Sequence, residues 1–213
     1  MFKNRTRMFT VAAIACAVFI QLVVVISLLT YTVRTRHYAQ KNGRIIYLEC
    51  KATDPFNPFK GRYVRLSFAE RSISKTVLDS KSFEDLKKLK ELKASYHVPV
   101  YLKMKQSEDN LWTVHGIRQK LPKNESDIYI KARVSYISEE SVSVEHLFTD
   151  YYLQENYARF VDKIHWEDFN NLKPVLALYV DKNGKCIQKG LTVFDGKERI
   201  DIEEYCRRMI NAK

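Results

Sequence analysis

Five histidines (His37, His97, His115, His146, His165) and four cysteines (Cys16, Cys50, Cys186, Cys206) are the side chains best suited to hold a metal or to act as base or nucleophile. A local metal site needs close spacing, such as Cys-x-x-Cys or two histidines four residues apart, because ligands at those intervals share one face. That spacing is absent, so neither a metal nor a cofactor is predicted. Gly-x-Ser-x-Gly, the phosphate-binding loop and the dinucleotide fingerprint are absent as well. A serine nucleophile needs an adjacent base. The serines here have no recognisable lysine partner, and the Ser-Met-x-Pro segment of Ser–Lys signal peptidases is missing. No catalytic residue is therefore assigned. A membrane-tethered hydrolase of signal-peptidase-like architecture stands only as the alternative to a non-enzymatic module. Cys50 and Cys186 fall in two strand-like runs and are the pair that an oxidising compartment would join. Buried free thiols are the competing reading.

These residues are carried by a chain of 213 residues with 36 Lys+Arg, 25 Asp+Glu and a formal net charge of +11. A basic chain suits nucleic acid, an anionic membrane surface, or neither. The charge is unevenly placed: residues 1–36 hold five basic and no acidic residues, residues 37–93 are +6, and residues 94–213 are balanced. Met8–Val33 is 26 residues without a charge. At ~1.5 Å per residue it reaches about 39 Å, enough to cross a ~30 Å hydrocarbon core with tilt. Lys3, Arg5 and Arg7 precede it and Arg34 and Arg36 follow. A signal peptide would be shorter and end in a small-x-small cleavage site, whereas this stretch ends Tyr31-Thr32-Val33-Arg34. The prediction is a tail (1–7), a retained transmembrane helix (8–33), a tether (34–43) and a domain over 44–213. The helix would place the chain in the lipid bilayer. A short N-terminal tail favours the cytoplasm, with the domain outside. The membrane address argues against nucleic acid, and leaves attraction of the basic first half to acidic headgroups as a minor alternative.

The domain reads as α+β: mainly antiparallel strands with about three helices. Strand-like runs fall at Arg44–Ala52, Tyr63–Phe68, Val98–Lys105, Leu111–Ile117, Ile128–Ile137, Val142–Phe148, Val175–Val180 and Lys185–Phe194. Lys182-Asn183-Gly184 predicts a hairpin between the last two, since tight turns favour residues that accept positive φ. Helices are expected at Ser82–Lys93, Glu155–Phe169 and Asp201–Ile210. The first carries Ser82 and Asp85 in capping-box spacing and a stripe of Phe83, Leu86, Leu89 and Leu92.

The run Gly61-Arg62-Tyr63-Val64-Arg65-Leu66-Ser67-Phe68 resembles the motif of the GDYXXLXY family of bacterial membrane-anchored proteins. The approach through Asp54-Pro55-Phe56-Asn57-Pro58-Phe59-Lys60 is similar too, as are Tyr129–Val134, Tyr151–Asn156 and the closing segments from Val180 to Gly196. The family aspartate is Arg62 here and its final tyrosine is Phe68, so no catalytic role can rest on that aspartate in this chain. The resemblance implies a cytoplasmic-membrane protein of the bacterial envelope, of no established activity, with a multi-pass membrane protein as its plausible partner. Alternation places Val64, Leu66 and Phe68 on a core face and Tyr63, Arg65 and Ser67 on the other. Gly61, Arg62, Tyr63, Leu66 and Phe68 are thus read as architectural. Asp54, Lys60, Tyr63 and Arg65 form the candidate binding surface.

Overall fold

The structure is a computed structural model that describes residues 2–53, 63–68, 71–91, 97–122, 126–161, 163–164 and 166–211. The chain divides into two units, residues 1–42 and 43–213. The first is one helix, α1 (Phe2–Asn42). Within it, Ile14–Asn42 is long and apolar enough to cross a membrane, its most apolar 18 residues having a mean hydropathy of 2.5. The hydroxyls of Thr30, Thr32 and Thr35 donate to the carbonyls of Ile26, Leu28 and Tyr31, one turn back. Those bonds satisfy polar groups that hydrocarbon would otherwise leave unmet. The helix does not stop at Val33. Nothing in Arg34–Asn42 breaks it, because neither proline nor glycine occurs before Gly43, so the expected tether is helical through Asn42.

The second unit is built on two antiparallel sheets. Eleven strands are described: β1 (Arg44–Thr53), β2 (Tyr63–Phe68), β3 (Ser72–Ser74), β4 (Val98–Gln106), β5 (Trp112–Arg118), β6 (Ile128–Ile137), β7 (Ser141–His146), β8 (Asp150–Tyr152), β9 (Val175–Val180), β10 (Cys186–Phe194) and β11 (Arg199–Asp201). One sheet runs β11-β10-β9-β1-β2-β8 and the other β3-β7-β6-β4-β5. Four further helices are α2 (Ser80–Glu91), α3 (Glu155–Val161), α4 (Trp166–Asn171) and α5 (Ile202–Asn211). The domain is therefore α+β, as its periodicities predict, with one expected helix divided between α3 and α4. Bonds from Lys163 and Ile164 to the carbonyls three residues earlier make the break, and it leaves both Val161 and Phe169 buried.

One hydrophobic cluster joins both sheets and the helices. In β1, Ile46, Leu48, Cys50 and Ala52 are buried and the residues between them are not. In β9, Val175, Leu176, Ala177, Leu178 and Val180 are all buried, so both of its faces are covered. That is why this segment reads as a continuous apolar run rather than an alternating one. The β9–β10 hairpin turns where Asn-Gly predicts it, with Gly184 at φ 75°. Asp181 Oδ1 accepts the Asn183 and Lys185 amides at 2.8 and 2.9 Å. The Gly184 carbonyl then accepts the Lys131 amide of β6 at 2.8 Å, tying the turn to the other sheet.

The same register settles the cysteines. Cys186 lies level with Val180, which lies level with Arg44, six residues along β1 from Cys50. That offset is about 20 Å along the strands, against roughly 4.4–6.8 Å between the Cα atoms of a disulfide. Neither is in a disulfide, nor are Cys16 and Cys206. Burial and nearby acidic groups push Cys186 and Cys206 upward, Cys206 to about 11, so neither is a ready thiolate.

Candidate functional site

The motif strand β2 separates architecture from surface within six residues. Val64, Leu66 and Phe68 are buried, as alternation predicts. On the other face Tyr63 is buried as well, at 4% exposure, so it does not belong to an open binding surface. Its ring centroid lies 5.8 Å from that of Tyr152, its cross-strand partner on β8. Its hydroxyl accepts a 3.2 Å bond from Arg65 Nη2. Arg65 stays half-exposed and faces Asp150 across the strands at 3.6 Å. Asp54, Lys60, Gly61 and Arg62 lie outside the described residues.

Beside this strand opens a cavity of about 510 Å³. β2 contributes Arg65 and Phe68, β7 contributes Glu145 and His146, and Asp150 comes from β8; Arg71 and His97, next to β3 and β4, complete the ionisable lining. His97 Nδ1 lies 3.5 Å from Glu145 Oε2. His146 is 5% exposed. Its ring packs edge-on to Phe68 at 5.0 Å and lies 5.3 Å from Phe148. Neither of its nitrogens has a hydrogen-bond partner among the described residues. Burial lowers its pKa from 6.5 to about 4, which keeps the imidazole neutral at neutral pH. A neutral imidazole offers one donor and one acceptor. The site therefore presents two guanidiniums, two carboxylates and one unmet imidazole, without a nucleophile bonded to that imidazole.

Of these side chains, sequence reasoning places only Arg65 at a binding surface. His146 and Phe148 continue the inward parity of Val142 and Val144, and a histidine at that parity is the available signal. Arg71, His97 and Asp150 belong to no periodic run and are gathered by tertiary structure alone.

A second polar cluster lies between α2 and β5. Asp79 caps α2, its Oδ1 accepting the Ser82 amide at 3.0 Å and the Ser82 hydroxyl at 2.6 Å. The cap is thus Asp79 rather than Ser82 in a capping box. Ser82 and Leu86 are buried while Phe83 is exposed, so Phe83 leaves the expected stripe; the side chains of Leu89 and Leu92 lie outside the described residues. Arg118 donates to Asp79 Oδ1 and Oδ2 at 2.8 and 2.6 Å and to Ser82 Oγ at 3.0 Å. Ser82 Oγ also accepts the Ile117 amide at 2.7 Å. The Arg118 guanidinium holds the Asp79 carboxyl well below the usual carboxylate range.

One apolar N-terminal helix followed by an antiparallel two-sheet domain defines a class: proteins with a single candidate membrane helix and a β-rich body. Within that class the chain belongs to the GDYXXLXY protein family, which matches residues 25–191. No curated protein and no solved structure matches it. Two of the family segments singled out above meet in space, since β2 pairs directly with β8 through Tyr63 and Tyr152.

Proposed function

We propose that this is a membrane-anchored, non-enzymatic binding or accessory module of the bacterial cell envelope. Its helix sits in the cytoplasmic membrane, its β domain lies on the extracytoplasmic side, and its partner is a multi-pass membrane protein rather than a nucleic acid. The observation that carries this reading is the chain order. An apolar helix with Lys3, Arg5 and Arg7 in its first turns is separated by Gly43 alone from β1, an internal strand of the six-stranded sheet. The polar cavity on the motif strand supports a binding role. Its buried histidine, His146, packs against rings, whereas a catalytic base would be bonded to the group it activates.

Three measurements test the reading. A reporter fused to the C-terminus, active only after export, is expected to be active, and a fluorescent reporter that matures only in the cytoplasm is expected to stay dark. Crosslinking in intact membranes is expected to recover a multi-pass protein reproducibly. The reverse reporter pattern would overturn the orientation. A serine-reactive probe labelling the purified full-length chain would overturn the non-enzymatic assignment.

A further inference from the structure

We propose that the cavity beside β2 binds a neutral polyhydroxyl ligand, a sugar or polyol, held by Arg65, Arg71, Glu145, Asp150 and His146. This rests on the reading of the domain as a binding module, and not on the side of the membrane it faces.

The lining selects by charge. A simple anion entering the cavity meets Glu145 and Asp150, a simple cation meets Arg65 and Arg71, and an apolar ligand strips water from all four. A hydroxyl is donor and acceptor at once, so a ligand carrying several hydroxyls serves guanidiniums and carboxylates together. Bonds to ionised partners are the stronger kind, roughly twice the strength of neutral ones. The volume of about 510 Å³ lies within the range of small-molecule sites.

His146 points to the same chemistry. An imidazole buried without partners is costly, and such groups call for an explanation. Its ring lines the cavity, while both nitrogens are sealed from solvent. Engagement therefore requires the imidazole to turn toward the cavity, where one donor and one acceptor match adjacent hydroxyls. The turn moves a ring packed against Phe68, and so links ligand binding to the motif strand.

The test uses the full-length chain, with ¹⁵N-labelled histidine, in nanodiscs free of glycolipid and glycosidic detergent. Glucose, N-acetylglucosamine and glycerol are titrated separately into the tens of millimolar, with inorganic phosphate and a neutral dipeptide as comparisons. The expected result is a saturable shift of the His146 ring resonances by at least one of the three polyols. Arg71→Ala, at an exposed position, is expected to weaken that binding at least tenfold with an unchanged melting temperature. Resonances unmoved by all three polyols would overturn the proposal, as would a shift of equal midpoint in Arg71→Ala. A stronger response to phosphate or to the dipeptide would overturn it in favour of that ligand class. None of these results bears on the reporter and crosslinking experiments, so the two readings fail separately.

Discussion

The domain buries polar side chains in two places, and they end in opposite states. Between α2 and β5, Asp79, Ser82 and Arg118 bond to one another and to the Ile117 amide. Beside β2, His146 is buried as deeply as Arg118, at 5% and 6% exposure, yet its nitrogens reach no partner among the described residues. The first set is closed. The Asp79 and Ser82 oxygens and Arg118 Nη1 and Nη2 bond to one another, with Arg118 Nε outside those bonds, and the set caps a helix, so its work is structural. The second borders a cavity in which Arg65 meets Tyr63 and Asp150 and His97 meets Glu145, while the His146 imidazole reaches no partner among the described residues. Burial alone does not separate structure from function in this fold; satisfaction does.

The sharpest way to break that contrast is to open the closed set. Asp79→Ala leaves the Arg118 guanidinium buried beside Ser82 without its carboxylate. Removing one member of such a pair costs about 3–5 kcal/mol. The expected outcome is a large fall in the melting temperature of the full-length chain, followed by circular dichroism. A change of a few tenths of a kcal/mol would mean that Arg118 finds water as readily as a surface residue, and the distinction between the sets would fail.

The next test is acidification. In the unfolded chain His146 takes a proton near pH 6.5, whereas in the folded domain burial delays protonation to about pH 4. The unfolded state therefore binds more protons between those values. Stability from this site is complete above pH 6.5, is lost as pH falls toward 4, and changes no further below that. The ceiling is about 3 kcal/mol, because each tenfold change in proton affinity corresponds to roughly 1.4 kcal/mol. Other groups titrate in the same window, so the measurement is the difference between wild type and His146→Phe in unfolding free energy from pH 7 to pH 4. Parallel profiles would show that His146 is solvated in the folded domain.

How much of this was legible beforehand depends on where each signal resides. Tyr63–Phe68, Ile128–Ile137 and Val175–Val180 declare themselves as strands because burial imposes alternation or a continuous apolar run over six or more residues. β3, β8 and β11 have three residues each, too few to show a period, and exist because a neighbouring edge pairs with them. The division of α3 from α4 carries no glycine or proline signal and is a tertiary outcome. Asp79 was hidden as a cap because Ser82, three residues on, offered a capping-box pattern that the fold uses for Arg118 instead. The site was legible only at Arg65, since Asp150 reaches it through the β2–β8 register, which no local pattern encodes. The Cys50–Cys186 pairing failed for the same reason: two strands were identified without the offset between them.

A finer probe of the closed set is its glycine. A Cβ built on Gly116 would lie 3.1 Å from Asp79 Oδ2, 3.2 Å from Ser82 Oγ and 3.4 Å from Arg118 Nη1. Those atoms are fixed by one another, so none yields freely. Gly116→Ala is expected to cost about 1–2 kcal/mol, in the range of an overpacked core, measured as a shift of the denaturation midpoint at constant slope. A neutral result would show slack in the cluster and weaken its description as closed.

The smallest expected effect is the one that bears most directly on the contrast, because its sign is opposite. His146→Phe replaces an imidazole that lacks partners among the described residues by a ring of similar size, among Phe68 and Phe148. The desolvation penalty disappears and the aromatic packing remains. Unsatisfied buried groups cost about 1–3 kcal/mol, and part of any gain is lost because phenyl is slightly larger than imidazole. A net gain of about 1 kcal/mol at pH 7 is expected, seen as a higher melting temperature of the full-length chain without added ligand. A residue placed for stability loses stability when replaced, as Asp79 does; a residue retained against stability gains it. Destabilisation by His146→Phe beyond about 1 kcal/mol would place His146 with Asp79 and Arg118, and the domain would then have two structural sets rather than one structural set and one site.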